Sequence, residues 1–240
     1  MARRDKTDLR AQPSCVGCTA RAFAAYGTLA FRESQGIERL RREVRRVKAK
    51  RIIHREREAF DAVYTLFDGW AFRFRLLDDG RRQIFSFLLP GSPIGLPLHG
   101  SSRTQFSVQA LTDVTLCVFD RAELADYLGS VGSGWSSLET CYAHLCEAND
   151  ERLIDLGRRS ARERIASFIL GLRERLRGQG RVVNETIYFP LKRQHIADAL
   201  GLTPVHVGRV LGQLVAERAI SLGRDSLTVL DDEALVDLAR

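Results

Sequence analysis

No apolar run in the chain approaches the roughly eighteen residues that a membrane-spanning helix needs. The first residues, MARRDKTDLR, also lack the apolar core of a secretory signal. The protein is therefore expected in the cytoplasm, with no membrane partner and with its five cysteines mostly reduced. Internal repeats and low-complexity tracts are missing too. So are a Ser-His-Asp grouping, a phosphate-cradling glycine loop and a zincin helix. No reaction can be assigned, and the chain is not expected to be an enzyme.

What is present fits packed domains. The 240 residues allow two modest domains, and 45% hydrophobic content is globular rather than disordered. The formal net charge of +7 favours an anionic partner such as nucleic acid. That excess lies at the front: residues 1–60 carry sixteen Lys or Arg against seven Asp or Glu. The densest part, Arg39 to Arg57, reads as a solvated, mostly helical surface.

The most informative stretch is RQHIADALGLTPVHVGRV, residues 193–210. Ile196, Leu200, Leu202, Val207 and Val210 are apolar, Ala197 is small where two helices must cross, and Gly201 stands where the chain must turn. This spacing predicts a helix-turn-helix, whose second helix enters the major groove of double-stranded DNA. Thr203 is placed to cap that helix through its hydroxyl, and Pro204 suits its first position. Val207, Val210, Leu211 and Leu214 recur at helical spacing and should pack inward. Thr203, Val205, His206, Gly208, Arg209 and Gln213 are left as candidate DNA contacts. Arg209 leads them, because a guanidinium can bond guanine O6 and N7 through two donors. Gln213 is one turn further on and better placed for the backbone.

Residues 220–230 (ISLGRDSLTVL) read as a two-stranded hairpin turning at Gly223-Arg224-Asp225. Two strands after a helix-turn-helix make a wing. Before the motif, residues 160–176 form an amphipathic helix with Ile165, Phe168, Ile169 and Leu172 on one side. A short strand follows at residues 187–190.

The front half has the two-residue period of strands from Val63 to Phe119. Trp70, Phe72, Phe74 and Leu76 alternate with Ala71, Arg73, Arg75 and Leu77 before a turn at Asp78-Asp79-Gly80. Gln83, Phe85, Phe87 and Leu89 are expected to continue that alternation on the return strand. Further strands are expected at residues 105–110 and 114–119. Short strands with Gly and Pro turns suggest a small antiparallel barrel or jelly roll. Helix resumes after Asp120. A long helix over 134–158 carries an imperfect apolar seam of Leu138, Cys141, Tyr142, Leu145, Leu153 and Leu156, suited to pairing with its copy in a homodimer. The class is α+β. It comprises an N-terminal extension with a Cys-x-x-Cys pair (1–28), an antiparallel β-roll (29–133), a dimerisation helix (134–158) and a winged helix-turn-helix (159–240).

This order resembles the CRP/FNR family of bacterial transcription regulators, and the FNR/FixK branch more than the cAMP-binding branch. Four stretches carry the likeness: LDDGRRQIFSFLLPGSPIG (77–95), QALTDVTLCVF (109–119), SARERIASFILGL (160–172) and RQHIADALGLTPVHVGRVLGQL (193–214). The resemblance implies a homodimeric regulator that works on RNA polymerase, with a cyclic-nucleotide-binding-like β-roll that senses a signal. Relatives that bind cAMP use a Gly-Glu pair and an Arg-Ser or Arg-Thr pair. Here Leu96 replaces the Glu, Phe106-Ser107 replaces the Arg-Ser, and Arg103-Thr104 is displaced by several residues. Burying a phosphate without a paired cation is costly, so cAMP is not expected.

The FNR branch instead implies a [4Fe–4S] cluster. Cys15, Cys18 and Cys117 match three of its four ligand positions, while Ala24 stands at the other. A lone Cys-x-x-Cys is equally consistent with zinc, a redox pair or chance, and Cys117 alone is most simply a small buried hydrophobe. Cys141 and Cys146 read as packing residues, and His144 as an ordinary helical histidine. Asn149 falls where the resemblance places a self-repelling acidic residue on the dimer helix, implying easier dimerisation without a cofactor. Val205 falls where it places a cytosine-reading Glu, implying a half-site that keeps the guanine and loses discrimination there. The rival reading is a redox or metal protein using Cys15 and Cys18, with the C-terminal domain as a protein-binding module. The effector, the operator and the sign of regulation are not legible.

Overall fold

The computed structural model of the chain describes residues 18, 31–59, 61–96 and 103–240. A short helix, α1 (Phe31–Leu40), leads into eight strands: β1 (Arg41–Val47), β2 (Ile52–His54), β3 (Ala62–Asp68), β4 (Ala71–Leu76), β5 (Arg82–Leu88), β6 (Pro93–Ile94), β7 (Ser107–Ala110) and β8 (Val114–Asp120). They form two four-stranded sheets, ordered β1-β8-β3-β6 and β2-β7-β4-β5. All the pairings are antiparallel. Between the sheets lie Leu66, Ala71, Val108, Ala110, Leu116 and their neighbours. This is the expected β-roll.

Two expectations for this half need correction. The basic stretch from Arg39 is not mostly helical, because α1 ends at Leu40 and the arginines continue as β1 and β2. β1 is an edge strand, and its charged side chains project into solvent in the pattern that protects open edges from further pairing. The alternation on β5 is also broken. Arg73 pairs with Ser86 but Phe74 pairs with Ile84, so Phe85 is an extra residue in a bulge. Ile84 and Phe87 are therefore buried while Phe85 is 37% exposed. Leu76, at the strand end, is exposed as well.

α2 (Arg121–Ser130) begins at Asp120, whose carboxylate caps the backbone N–H groups of Ala122 and Glu123. The long helix α3 spans Gly134–Gly157, and α4 (Ala161–Gly178) follows after a Ser160–Glu163 capping box. At their junction Arg159 donates to Asp155 (2.7 Å) and Ser167 (3.1 Å). Arg164 donates to the carbonyls of Leu156, Arg159 and Leu200. Of the seam residues, Leu138 is 3% exposed and packs with Leu124, Leu128 and Phe119. It serves this chain's own core and has no surface for a partner. Cys141, Tyr142, Leu145 and Leu156 are half-buried, Asn149 is exposed, and Leu153 is 69% exposed.

The C-terminal domain continues with β9 (Val182–Val183), β10 (Thr186–Tyr188), α5 (Arg193–Leu200), α6 (Pro204–Ala216), β11 (Ile220–Leu222), β12 (Ser226–Val229) and α7 (Asp232–Ala239). Its sheet runs β11-β12-β10-β9. The outer face of β4 and β5, with Trp70, Phe72, Phe74, Ile84 and Phe87, shares one apolar core with α4, α5 and α6. The two domains thus bury a common surface. Among the described residues no helix is long and apolar enough to cross a membrane.

Candidate nucleic-acid interface

The helical pair forms where the sequence places it. α5 ends at Gly201, whose φ of +65° is the left-handed conformation that glycine adopts at little cost. The Leu202 N–H then closes back on the Ala197 carbonyl at 3.1 Å. The Thr203 hydroxyl accepts from the His206 N–H at 3.2 Å, and Pro204 takes the first helical position of α6. Val207, Val210, Leu211 and Leu214 are buried.

The opposite face of α6 is open. Val205 is 82% exposed, Thr203, Arg209 and Gln213 are exposed, and His206 and Gly208 are partly covered. The Arg209 guanidinium lies 2.9 Å from His206 Nε2. An arginine only donates, so that nitrogen is the acceptor in this pairing. The contact holds Arg209 along the helix surface while leaving it available to a base edge.

A further residue was missed from the sequence. A Cβ built on Gly208 would meet the Arg193 guanidinium at 3.0 Å, so Arg193, at the start of α5, reaches across to the recognition helix. Its exposure and position suit a phosphate contact. The signal was present, since a glycine inside a helix implies close approach by something else, but which residue approached it was not readable. The wing is as expected: β11 and β12 pair antiparallel, and Arg224 sits exposed in the turn between them.

The cysteine set is a separate matter. Cys15 and the Ala24 position lie outside the described residues. Cys117 is buried on β8 between Val44 of β1 and Thr65 of β3. Burial pushes its thiol up to about 11, with Arg41 opposing this and Cys18 adding to it. A thiol held protonated is a poor ligand until a metal displaces its proton. The chain offers three cysteines at the four expected positions. These residues do not fit a four-thiolate cluster. For cAMP, the position of the phosphate-binding Arg holds the partly buried Phe106, and Arg103 is exposed.

Comparison with known proteins agrees with this geometry. A model of Crp-like helix-turn-helix domains matches residues 163–238, and a model of cyclic nucleotide-binding domains matches residues 44–130. The chain is 35% identical over 223 residues to the transcriptional activatory protein AadR of Rhodopseudomonas palustris, covering 92% of this chain and 91% of that protein. It is 34% identical over 226 residues to the nitrogen fixation regulation protein FixK of Bradyrhizobium diazoefficiens, covering 94% and 93%. The solved structure of FixK2 from Bradyrhizobium japonicum matches with a TM-score of 0.76 at 29% identity, covering 82% of this chain and 97% of that one. Regulators matched along nearly the whole chain favour a DNA-binding C-terminal domain over a protein-binding module. The chain belongs to the CRP/FNR family, on its FNR/FixK branch, and is a DNA-binding transcription regulator rather than an enzyme.

Proposed function

We propose that the protein works in the cytoplasm as a homodimer paired along α3, binds a twofold-symmetric DNA site, and acts there on RNA polymerase. The observation that carries this reading is the exposed face of α6, with Arg209 outward and the inward stripe fully used in the core. One protomer offers one recognition helix, and a symmetric reader needs two, about one DNA turn or 34 Å apart. The apolar surface left on α3 supplies a pairing face: Leu145 and Leu156 half-covered, with Leu153 and Ile154 open to solvent. Asn149 on the same helix adds no like-charge repulsion.

Selection of bound fragments from random duplexes tests the reading. An inverted repeat that takes up two protomers, with guanine in each half-site and weak preference at the pair facing Val205, is the expected result. An asymmetric consensus bound by one protomer would overturn it.

A response to oxidant or oxygen is the second reading, favoured by the match of Cys15, Cys18 and Cys117 to three cysteine positions of the FNR branch. DNA affinity measured anaerobically and after mild oxidation should differ in the parent and match in Cys117→Ser. Equal affinities in the parent would remove this reading. The absorbance spectrum of the anaerobic protein, expected to lack a cluster band, tests the ligand count.

A further inference from the structure

Arg209 does not stand free on the recognition helix. Its Nη2 lies 2.9 Å from His206 Nε2, one turn back, at the i,i+3 spacing that brings helix side chains together. Among the described residues this is the only polar partner of the Arg209 side chain. Val205, at i−4, has no polar atom to offer. His206 is itself well held, being half-buried with its N–H capped by the Thr203 hydroxyl at 3.2 Å.

The pairing leaves Arg209 able to read a base. A guanidinium carries five N–H groups, and giving one Nη2 hydrogen to the imidazole keeps a complete two-donor edge for guanine O6 and N7. A long side chain held in place beforehand also loses less rotamer freedom when it binds. The acceptor depends on a proton, however. An imidazole nitrogen accepts only while it carries no hydrogen, and imidazole is the side chain that ordinarily gains its second proton between pH 5 and 8.

The surroundings give a charged imidazole no counterion. On α6, Arg209 is the one charged residue within a turn of His206. From α5, Arg193 reaches Gly208 and adds a second cation, Asp198 is engaged by Arg82, and His195 turns to Phe72. On the first turn of α4, Arg162 pairs with Glu217 at the far end of α6, and Glu163 closes its own capping box. β11 carries no charge. Among the described residues no carboxylate pairs with His206, Arg209 or Arg193.

We propose that His206 is a proton-gated positioning residue for Arg209. Unprotonated, it holds the guanidinium ready for guanine. Protonated, it repels that guanidinium and joins Arg193 as a cation facing the DNA backbone, which carries no sequence information. Guanine selectivity therefore falls as pH falls. The proposal rests on the reading of Arg209 as the base contact.

Fluorescence anisotropy of the full chain tests this at about pH 8 and about pH 6, at constant ionic strength, within the range where imidazole titrates. The probes are the selected inverted repeat and the same duplex with each half-site guanine replaced by adenine, and the readout is the ratio of the two affinities. In the parent the ratio should fall about fivefold per half-site from the higher pH to the lower, roughly the worth of one hydrogen bond. His206→Gln keeps an acceptor and has nothing to protonate, so its ratio should match the parent's higher value at both pH values. His206→Ala should show the lower ratio at both. A parent ratio that does not change with pH, or one that changes equally in His206→Gln, would overturn the proposal and leave Arg209 as the base reader. A parent with no guanine preference at either pH would remove the proposal together with that reading.

Discussion

Arg82, at the start of β5 in the roll, donates to Asp198 on the first helix of the helix-turn-helix, with Nε 2.7 Å and Nη2 2.6 Å from the same carboxylate oxygen. The guanidinium also lies over Phe72 at 5.0 Å, and Phe72 packs against His195 of α5 at 5.8 Å. Beside it, Gln83 donates to the Ala199 carbonyl at 3.3 Å. The sensor-like domain thus grips α5 and leaves α6 free. Both side chains of the ion pair are largely covered, at 23% and 10% exposure. Removing either partner should lower unfolding stability by about 1–3 kcal/mol. A double-mutant cycle with Arg82→Ala and Asp198→Ala should return a coupling of about 1–2 kcal/mol. Additive effects in denaturant titrations would show that the pair does not join the domains.

The start of the recognition helix depends on two local devices. Thr203→Ala removes the hydroxyl that caps the His206 N–H and should cost about 1 kcal/mol. Gly201→Ala forces a side chain into a φ of +65° and should cost about 1–2 kcal/mol. The added Cβ meets only Leu156 at 3.5 Å, so the penalty is one of backbone conformation rather than a clash. Urea unfolding of the two variants checks both values.

His195 gives the fold a pH dependence. Burial, with Arg82 and Lys192 adding repulsion, lowers its pKa from 6.5 to about 4, and its Nδ1 accepts from the Lys192 N–H at 3.1 Å. The unfolded chain binds this proton more readily than the folded one. Stability from the neutral ring is therefore complete above about pH 6.5 and is lost as pH falls toward 4. The ring is only partly covered, so solvent screening should hold the loss to about 1–2 kcal/mol. His195→Asn keeps an acceptor without the titration. Its stability should fall less than the parent's between pH 7 and 4.5, and parallel falls would refute the assignment.

The open apolar surface of α3 makes a prediction about assembly. Leu153→Glu places a charge on a residue that is 69% exposed in one protomer, so the fold should be unchanged. If α3 is the pairing face, the parent should size as a dimer at micromolar concentration and the variant as a monomer. A parent that is itself monomeric without metal would count decisively against pairing through this helix.

Legibility followed the range of the interactions. The helix-turn-helix was readable because its cap, its left-handed glycine and its apolar stripe all lie within about twenty residues. The edge strand β1 was misread because RREVRRV carries charge in place of strand-like alternation, and its pairing with β8 lies far along the chain. The bulge at Phe85 was hidden because one extra residue inverts which side chains face the core without changing the composition. The terminal helix α7 went unread although Asp231 caps it. The docking of the two domains rests on pairs such as Arg82 and Asp198, 116 residues apart, and no local pattern announces such a contact. On the recognition helix Arg193 was missed although it is only fifteen residues from Gly208, because a helical glycine announces a close approach without saying which side chain makes it.

The central claim is that Arg209 reads a base. Fluorescence anisotropy on the selected inverted repeat, at fixed salt, compares the parent with Arg209→Ala. Loss of one bidentate guanine contact should cost about 1–3 kcal/mol per half-site and flatten the preference for guanine at that position alone. Equal affinity and an unchanged preference in the variant would contradict the account.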